Sequence, residues 1–576
     1  MWAVVVSYTG GFRVESGSLR LSARGATNPL ILAFLSLAAA WVLAPAGARR
    51  ATLATDLAAL GIRVPPWVRT SRAATLVAAL AAVAVTAAGL IENSRTAGAS
   101  DAYGYVSQAR MFAGGRLEID EPLLARLPAY DRRAFAPLGW VPDAARAVIV
   151  PTYPQGLPLL MSVFARAGGP DALFAVVPLL AGLAVWATFV FGRALAGPAV
   201  GAAGALLLAS SPVFLYQTTT WPMSDVPATA WWTLCMALLA GGGWRRALGA
   251  GLAAGAAILT RPNLVPVVLA PLVLLLWPLV GQRQSNRTSI ASLAAFAPGV
   301  AAGSLAVAAF NWHWFGSPIS SGYGSLDPLY GWRFIGPNIR NFTIWLAETQ
   351  TPLFVMAGAG PFLIRHLAAR SAAWAGLTAG GVTLVVIVLV SYLFYFPFPP
   401  WWNLRFLMPA FPVLLVFLAT AILGVARRWR GEDGAMAAAA LIVALSAHGV
   451  STARERSAFE TSAEVTYAEV GAYVKDRLPD TAVVLSVLHS GSVRLYANRP
   501  TIRWDWVMPA ELDILVDRLV ALGLTPYVIL DAGEVEPFRS RFASASAIAG
   551  LDGPPIAEIP GFTGRIIPLT SRGPTP

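Results

Sequence analysis

Four charged side chains have the types and surroundings to do chemistry: Asp101, Asp225, Arg261 and Arg405. Asp101 follows the apolar run from Thr75 to Ile91 and opens the stretch Asp101-Ala102-Tyr103-Gly104-Tyr105. From there Tyr105, Gln108, Ala109 and Phe112 have helical spacing, and Gly114-Gly115 stops the pattern. Asp225 stands at the end of an apolar run, within Met223-Ser224-Asp225-Val226-Pro227. Arg261 lies inside an apolar stretch, where a charge at the bilayer centre costs about 2.5–3.5 kcal/mol. It needs a polar cavity or an anionic partner. Arg405 opens a further run after Pro400-Trp401-Trp402-Asn403-Leu404.

A carboxylate can take the proton from a hydroxyl nucleophile, and positioned base catalysis is worth roughly 10²–10⁴-fold. Arginine suits a phosphate leaving group, which its planar fork binds bidentately. Each residue also has a plainer reading. Ser224-Asp225 before Val226-Pro227 is a good helix cap. Arg405 fits an interfacial side chain that snorkels to the headgroups. Arg261 fits a structural ion pair, and Asp101 an ordinary solvated loop acid.

The elements that hold these residues are read from composition. The chain has 576 residues, 56% hydrophobic and only 12% charged, and its mean hydropathy is +0.61. A soluble protein carries about 25% charged residues. Apolar runs fall at 29–46, 73–91, 171–191, 198–216, 225–241, 247–260, 263–280, 291–310, 350–364, 372–395, 406–426 and 435–450. Many reach the ~17–25 residues that span a bilayer. The expected fold is an α-helical polytopic membrane protein of about twelve transmembrane helices. A shorter apolar piece, 156–167, fits an interfacial helix, and residues 1–28 suggest a small β-hairpin.

The net charge of +12 comes almost wholly from arginine, Lys475 being the only lysine. Many arginines gather in short loops, which is topology information rather than a nucleic-acid patch. No nucleic-acid partner is expected. Cys235 is the only cysteine, so neither an internal disulfide nor a cysteine metal site forms. Arg49, Arg50, Arg63, Arg69 and Arg72, then Arg245-Arg246, Arg283, Arg287, Arg365, Arg370, Arg427, Arg428 and Arg430 are set inside. The runs then alternate. The segments 92–155, 217–224, 311–349 and 396–404 fall outside, together with everything after 450 and, awkwardly, the N-terminus. All four charged residues then meet on the outer face. A phosphate held there suggests a lipid phosphate.

Three parts are expected. Residues 1–72 carry one extra span. Residues 73–450 form a transmembrane catalytic domain with a large outer loop, 92–155. Residues 451–576 form a small extracytoplasmic, soluble α/β domain. Strands are expected at 482–487 and 526–531, and a helix at 510–522 between them.

The order of elements resembles the GT-C glycosyltransferases, the polyprenyl-phosphate-sugar-dependent membrane enzymes that include protein mannosyltransferases and aminoarabinose transferases of lipid A. Asp101-Ala102-Tyr103-Gly104-Tyr105 is similar to the acidic first outer loop of that family and its juxtamembrane helix. Tyr153-Pro154-Gln155-Gly156-Leu157-Pro158 is similar to the Tyr-Pro-Pro-Gly stretch that ends the loop. Leu259-Thr260-Arg261-Pro262 resembles its Leu-Thr-Lys/Arg hairpin, and Phe315-Gly316-Ser317-Pro318 and Arg405-Phe406-Leu407-Met408-Pro409 also recur there. The resemblance covers about residues 73–426. It departs in having a single acid where many relatives have Asp-Glu.

The resemblance implies an inverting sugar transfer from a polyprenyl-phosphate-linked donor to a protein, lipid or glycan acceptor, at the extracytoplasmic face of the cell membrane. Asp101 is then the catalytic base and Asp225 a second catalytic acid that orients acceptor or sugar. Arg261 and Arg405 bind the donor phosphate. Tyr103, Tyr105 and Tyr153, which lie in the matching stretches, contact substrate. Glu92, Asp120 and Glu121 are reserve acids. Some relatives need a divalent metal, and no residue cluster here demands one. The rival reading is a membrane transporter or lipid flippase. The internal repeat common in such proteins is missing, and the long loop 92–155 suits an enzyme better.

Overall fold

The computed structural model describes residues 12–16, 19–23, 71–143, 145–280, 286–364, 367, 374–553, 559 and 561–570. The expected hairpin is present as β1 (Phe12–Ser16) and β2 (Leu19–Ala23), paired antiparallel with Val14 opposite Leu21. The run 29–46, and with it the extra first span, lies outside the described residues.

Apolar helices follow. They are α1 (Ser71–Glu92), α2 (Asp101–Ala113) and, after strands β3 (Ile119–Asp120), β4 (Trp140–Asp143) and β5 (Val148–Pro151), α3 (Gly156–Gly168). Next come α4 (Val176–Ala196), α5 (Pro198–Ala209), α6 (Pro212–Thr219), α7 (Asp225–Ala240), α8 (Trp244–Thr260), α9 (Leu269–Val280) and α10 (Asn286–Phe315). The bundle ends with α11 (Ile335–Gln350), α12 (Trp374–Leu393) and α13 (Phe411–Glu455).

Among the described residues, 7 helices are long and apolar enough to cross a membrane, or 8 if α5 and α6 count as one span bent by 56°. The bend falls at Ser210-Ser211-Pro212, where proline removes a helical hydrogen bond and clashes with the turn before it. Two expected spans are just short of that length: α7 has 16 residues and α8 has 17. The run 350–364 is interrupted, a 3₁₀ turn over Pro352–Ala359 preceding one helical turn. By length and composition the described residues thus account for 7 or 8 of the about twelve expected helices. The chain is a multi-pass membrane protein.

The segment Trp401–Glu455 holds two apolar spans, Trp401–Arg428 and Gly434–Glu455, that lie side by side. Leu415, Leu418, Leu445 and His448 line one small cavity. A straight helix would place Leu418 and Leu445 about 40 Å apart at 1.5 Å per residue, so the segment doubles back.

The expected hairpin 247–280 breaks at Arg261, as the sequence suggests, but its limbs part. α8 packs on α10 and α7, whereas α9 packs on α12. Glycine explains the α8–α10 contact. Gly251 and Gly255 face Gly299 and Gly303, and a Cβ on Gly299 would lie 2.2 Å from the Gly251 carbonyl carbon. Small residues four apart on both helices let the backbones touch, which supplies van der Waals contact where lipid gives no hydrophobic drive.

The loop 92–155 and the C-terminal part form one layered structure. β3, β5 and β4 make an antiparallel sheet in that order. Beyond α14 (Ser462–Arg477), the chain builds β6 (Ala482–Leu485), β7 (Thr501–Ile502), α15 (Leu512–Ala521), β8 (Thr525–Leu530), α16 (Ala532–Arg541) and β9 (Arg565–Pro568). The sheet order is β7-β6-β8-β9, parallel except at β9. Leu123, Leu127 and Phe135 of the loop share a core with Leu485, Leu512 and Phe538. Glu121, almost fully buried, pairs with Arg494, which also donates to the Phe135 and Thr501 carbonyls at 2.9 Å.

Replacing Gly255 by Leu should force α8 from α10. Overpacking of this kind costs about 1–3 kcal/mol, so a lower thermal midpoint of the purified protein in detergent is expected. Gly249→Ala, where an added Cβ would meet only the end of the Leu238 side chain, at 3.3 Å, serves as the control.

Candidate active site

Both acids open helices. Asp101 is the first residue of α2 and Asp225 the first of α7, and each follows a serine. A helix N-terminus favours negative charge by about 0.3–1 kcal/mol. Arg261 ends α8, where the last carbonyls favour a cation. Arg405 lies in the 3₁₀ segment Trp401–Ala410 that leads into α13. These four chain positions meet at one end of the bundle. Arg245-Arg246 open α8 at its other end, about 24 Å away at 1.5 Å per residue.

Arg261 Nη2 lies 3.0 Å from Asp225 Oδ1. Arg405 bridges the two acids, with Nη1 3.9 Å from Asp225 Oδ2 and Nη2 3.2 Å from Asp101 Oδ2. The Asp225 contacts are charge contacts rather than well-directed hydrogen bonds. The Phe406 ring carries both cations, with the Arg405 and Arg261 guanidinium carbons 5.1 and 5.9 Å from its centroid. The Asp225 side chain is 1% exposed and the Asp101 side chain 33%. The accessible carboxylate is therefore Asp101, and Asp225 lies sealed beneath the guanidiniums.

Tyrosines complete the cluster. Tyr153 OH donates to Asp101 Oδ1 and lies 2.6 Å from Ser100 Oγ. Burial, with the Asp101 charge adding to it, holds the Tyr153 phenol well above its ordinary pKa, so it stays a proton donor. Tyr105 OH donates to Ser224 Oγ at 2.9 Å, and Arg261 Nε donates to the same oxygen at 3.0 Å. Arg261 Nη1 and Asn263 Nδ2 donate to Tyr392 OH at 3.1 and 3.0 Å. Tyr323 packs edge-on against Tyr153 at 6.1 Å.

The plainer readings of the four charges give way in part. Asp225 is the first helical residue rather than the cap, and its carboxylate faces arginines. Arg405 points at acids inside the cluster, not outward. Of the expected substrate tyrosines, Tyr105 and Tyr153 join the cluster and Tyr103 does not. Tyr103 is buried with Met111 and Trp140 against Gly491, and burial pushes its phenol up to about 12. The reason is helical geometry: Tyr105 stands four residues after Asp101 on the same face, whereas Tyr103 stands two after it on the other. The reserve acids do not join either. Glu121 is consumed by Arg494 and by the Leu123 amide, while Glu92 and Asp120 are exposed elsewhere. Ser224, Tyr392 and Phe406 were not singled out from sequence. Ser224 and Phe406 adjoin residues that were, and Tyr392 is a polar aromatic at the end of an apolar run.

Each carboxylate of the cluster faces a guanidinium. Among the described residues no group of three or more His, Cys, Asp or Glu could hold a metal. A cleft of about 280 Å³ lined by Leu90, Asn93, Arg95 and Asp171 contains none of the four charges.

Solved structures share the fold over most of the chain. The chain aligns with ArnT from Cupriavidus metallidurans bound to undecaprenyl phosphate at 12% identity over 86% of this chain and 99% of that one, with a TM-score of 0.50. The GT-C glycosyltransferase fold is the fold of this chain. The Archaeoglobus fulgidus oligosaccharyltransferase tethered to an acceptor peptide with the NVT sequon aligns at 12% identity over 82% of this chain and 70% of that one, with a TM-score of 0.52. In sequence, residues 154–313 match the family described as dolichyl-phosphate-mannose-protein mannosyltransferase. That segment holds Asp225 and Arg261 and stops short of Asp101 and Arg405. No curated protein sequence matches the chain.

Asp225→Asn should leave two buried guanidiniums short of charge. Breaking a buried pair by removing one partner costs about 3–5 kcal/mol, so the variant should unfold at a distinctly lower temperature in detergent than wild type. A wild-type midpoint would mean that the arginines are neutralised by other groups.

Proposed function

We propose that the protein is an integral membrane glycosyltransferase of the GT-C type. It moves a sugar from a polyprenyl-phosphate donor to an acceptor at the extracytoplasmic face of the cell membrane. The observation that carries this reading is one accessible carboxylate, Asp101, set beside two guanidiniums that share a buried counter-ion. The fold and the match over residues 154–313 support the reaction class.

In this reading the acceptor nucleophile attacks the anomeric carbon as the bond from that carbon to the phosphate oxygen breaks. The new bond forms on the opposite face, so configuration inverts. The nucleophile's proton passes to Asp101, and the departing polyprenyl phosphate keeps the electron pair. Arg261 and Arg405 face the charge that grows on the phosphate, which is where fixed cations lower a barrier. Their forks arrive already oriented by Asp225, Ser224 and Tyr392, so little reorganisation is needed. Asp225 is too enclosed to meet the nucleophile, and its part is to hold both arginines. Tyr153 fixes the Asp101 carboxylate through Oδ1. Tyr105 acts through Ser224.

Purified protein in nanodiscs, given radiolabelled polyprenyl-phosphate sugars and a membrane extract as acceptor, tests the proposal. Asp101→Asn should cut transfer by roughly 10²–10⁴-fold, the worth of a positioned base, at unchanged expression. Full transfer by that variant would remove Asp101 from the base role. Arg261→Ala should mainly raise the apparent KM for the donor, and an unchanged KM would count against its phosphate contact. Absence of transfer from every donor would overturn the enzyme reading and bring lipid translocation forward.

A further inference from the structure

We infer that the C-terminal α/β unit positions Asp101 through Tyr467, Tyr496 and Gly491. The inference rests on reading Asp101 as the base. It assigns a part in that site to a unit which, by sequence, looks like a separate domain.

The segment from Ser94 to Ser100 joins the end of α1 to Asp101 without regular structure. Arg95 and Ala99 within it have φ of 50° and 49°. L-residues seldom occupy that left-handed region, and they stay there only where the surroundings dictate it. On the bundle side, Ser94 Oγ donates to the Thr220 carbonyl at 2.9 Å. Further restraints come from the C-terminal unit. The buried Ala97 amide donates to Tyr496 OH at 2.8 Å, a bond it would otherwise lack at the cost of an unsatisfied donor. Gly98 lies under the Tyr467 ring so closely that a Cβ there would come within 2.1 Å of it. Just past Asp101, Tyr103 rests on Gly491, where a Cβ would come within 2.3 Å of the ring. The Gly98 and Ser100 carbonyls then accept from the Tyr103 and Gly104 amides at 3.2 and 2.9 Å, which starts α2 at Asp101.

The clamping side chains are themselves fixed. Tyr467 packs on the buried His489, with ring centroids 4.9 Å apart, and His489 Nε2 lies 3.3 Å from Asp531 Oδ1 at the end of β8. Tyr496 seats on Gly471, one helical turn after Tyr467 on α14. The C-terminal unit thus holds the chain on both sides of Asp101. Its contacts are to backbone and to small residues, where a shift of the unit would carry Asp101 with it. Reacting groups displaced by about 1 Å lose up to about 100-fold in rate.

The test uses the full chain purified in detergent, with Tyr467→Ala, Tyr467→Phe and Tyr496→Phe. Amide hydrogen exchange is followed over residues 94–104, with α4 as internal reference. Tyr467→Ala and Tyr496→Phe should raise exchange in that segment by about tenfold or more and leave α4 protected, whereas Tyr467→Phe keeps wild-type exchange. Unchanged exchange in Tyr467→Ala, or a rise spread evenly over the protein, would overturn the inference. Transfer from radiolabelled polyprenyl-phosphate sugars to a membrane extract is measured alongside. Tyr467→Ala should lower kcat by about tenfold with the donor KM unchanged within about twofold, and Tyr467→Phe should restore it. Wild-type kcat with raised exchange would also overturn the positioning role. Full transfer by Asp101→Asn fails the base reading instead, and the exchange result distinguishes the two.

Discussion

The structure turns on one buried carboxylate. Asp225 is 1% exposed and neutralises Arg261 from one side and Arg405 from the other. Two guanidiniums cannot sit at the end of an apolar bundle without such a counter-ion, because an isolated buried charge costs far more than the fold can spare. The pairing has a geometric price: α7, α8 and the segment before α13 must all end at the same level. The break at Arg261, the proline that follows it and the extended 3₁₀ turn at Trp401–Ala410 are the local means by which the chain does so.

Once those arginines are paired, the remaining charge is Asp101, and its surroundings differ. It is partly exposed, touches Arg405 and accepts from Tyr153. The cluster therefore divides into a sealed half that fixes cations and an open half that offers a carboxylate. A sugar-phosphate bond asks for that division: fixed positive charge on the leaving side and a proton acceptor on the other.

The C-terminal α/β part is tied to this arrangement more closely than a tethered domain would be. Its core includes Leu123, Leu127 and Phe135 from the loop 92–155, and the Glu121–Arg494 pair is buried between them. The loop that carries the accessible acid and the C-terminal sheet are thus one body of side chains.

The sequence by itself determined the membrane class, most of the apolar helices, the two main strands of the C-terminal sheet and the four charges. The reasons are local. Apolar run length reports a span, a charge within such a run demands a partner, and Gly114-Gly115 marks the end of α2. Tyr103 was expected at the site, and its exclusion followed only once α2 was seen to start at Asp101, which sets residues two apart on opposite faces. Only the tertiary structure decided which partner each charge takes. Asp225 with both arginines, Glu121 with Arg494 and Ala97 with Tyr496 join residues far apart in the chain, and nothing in their neighbourhoods marks the pairing. The limbs around Arg261 parted for the same reason. Gly251 and Gly255 find Gly299 and Gly303 only when the helices are already side by side, and close backbone approach then outweighs the shorter connection.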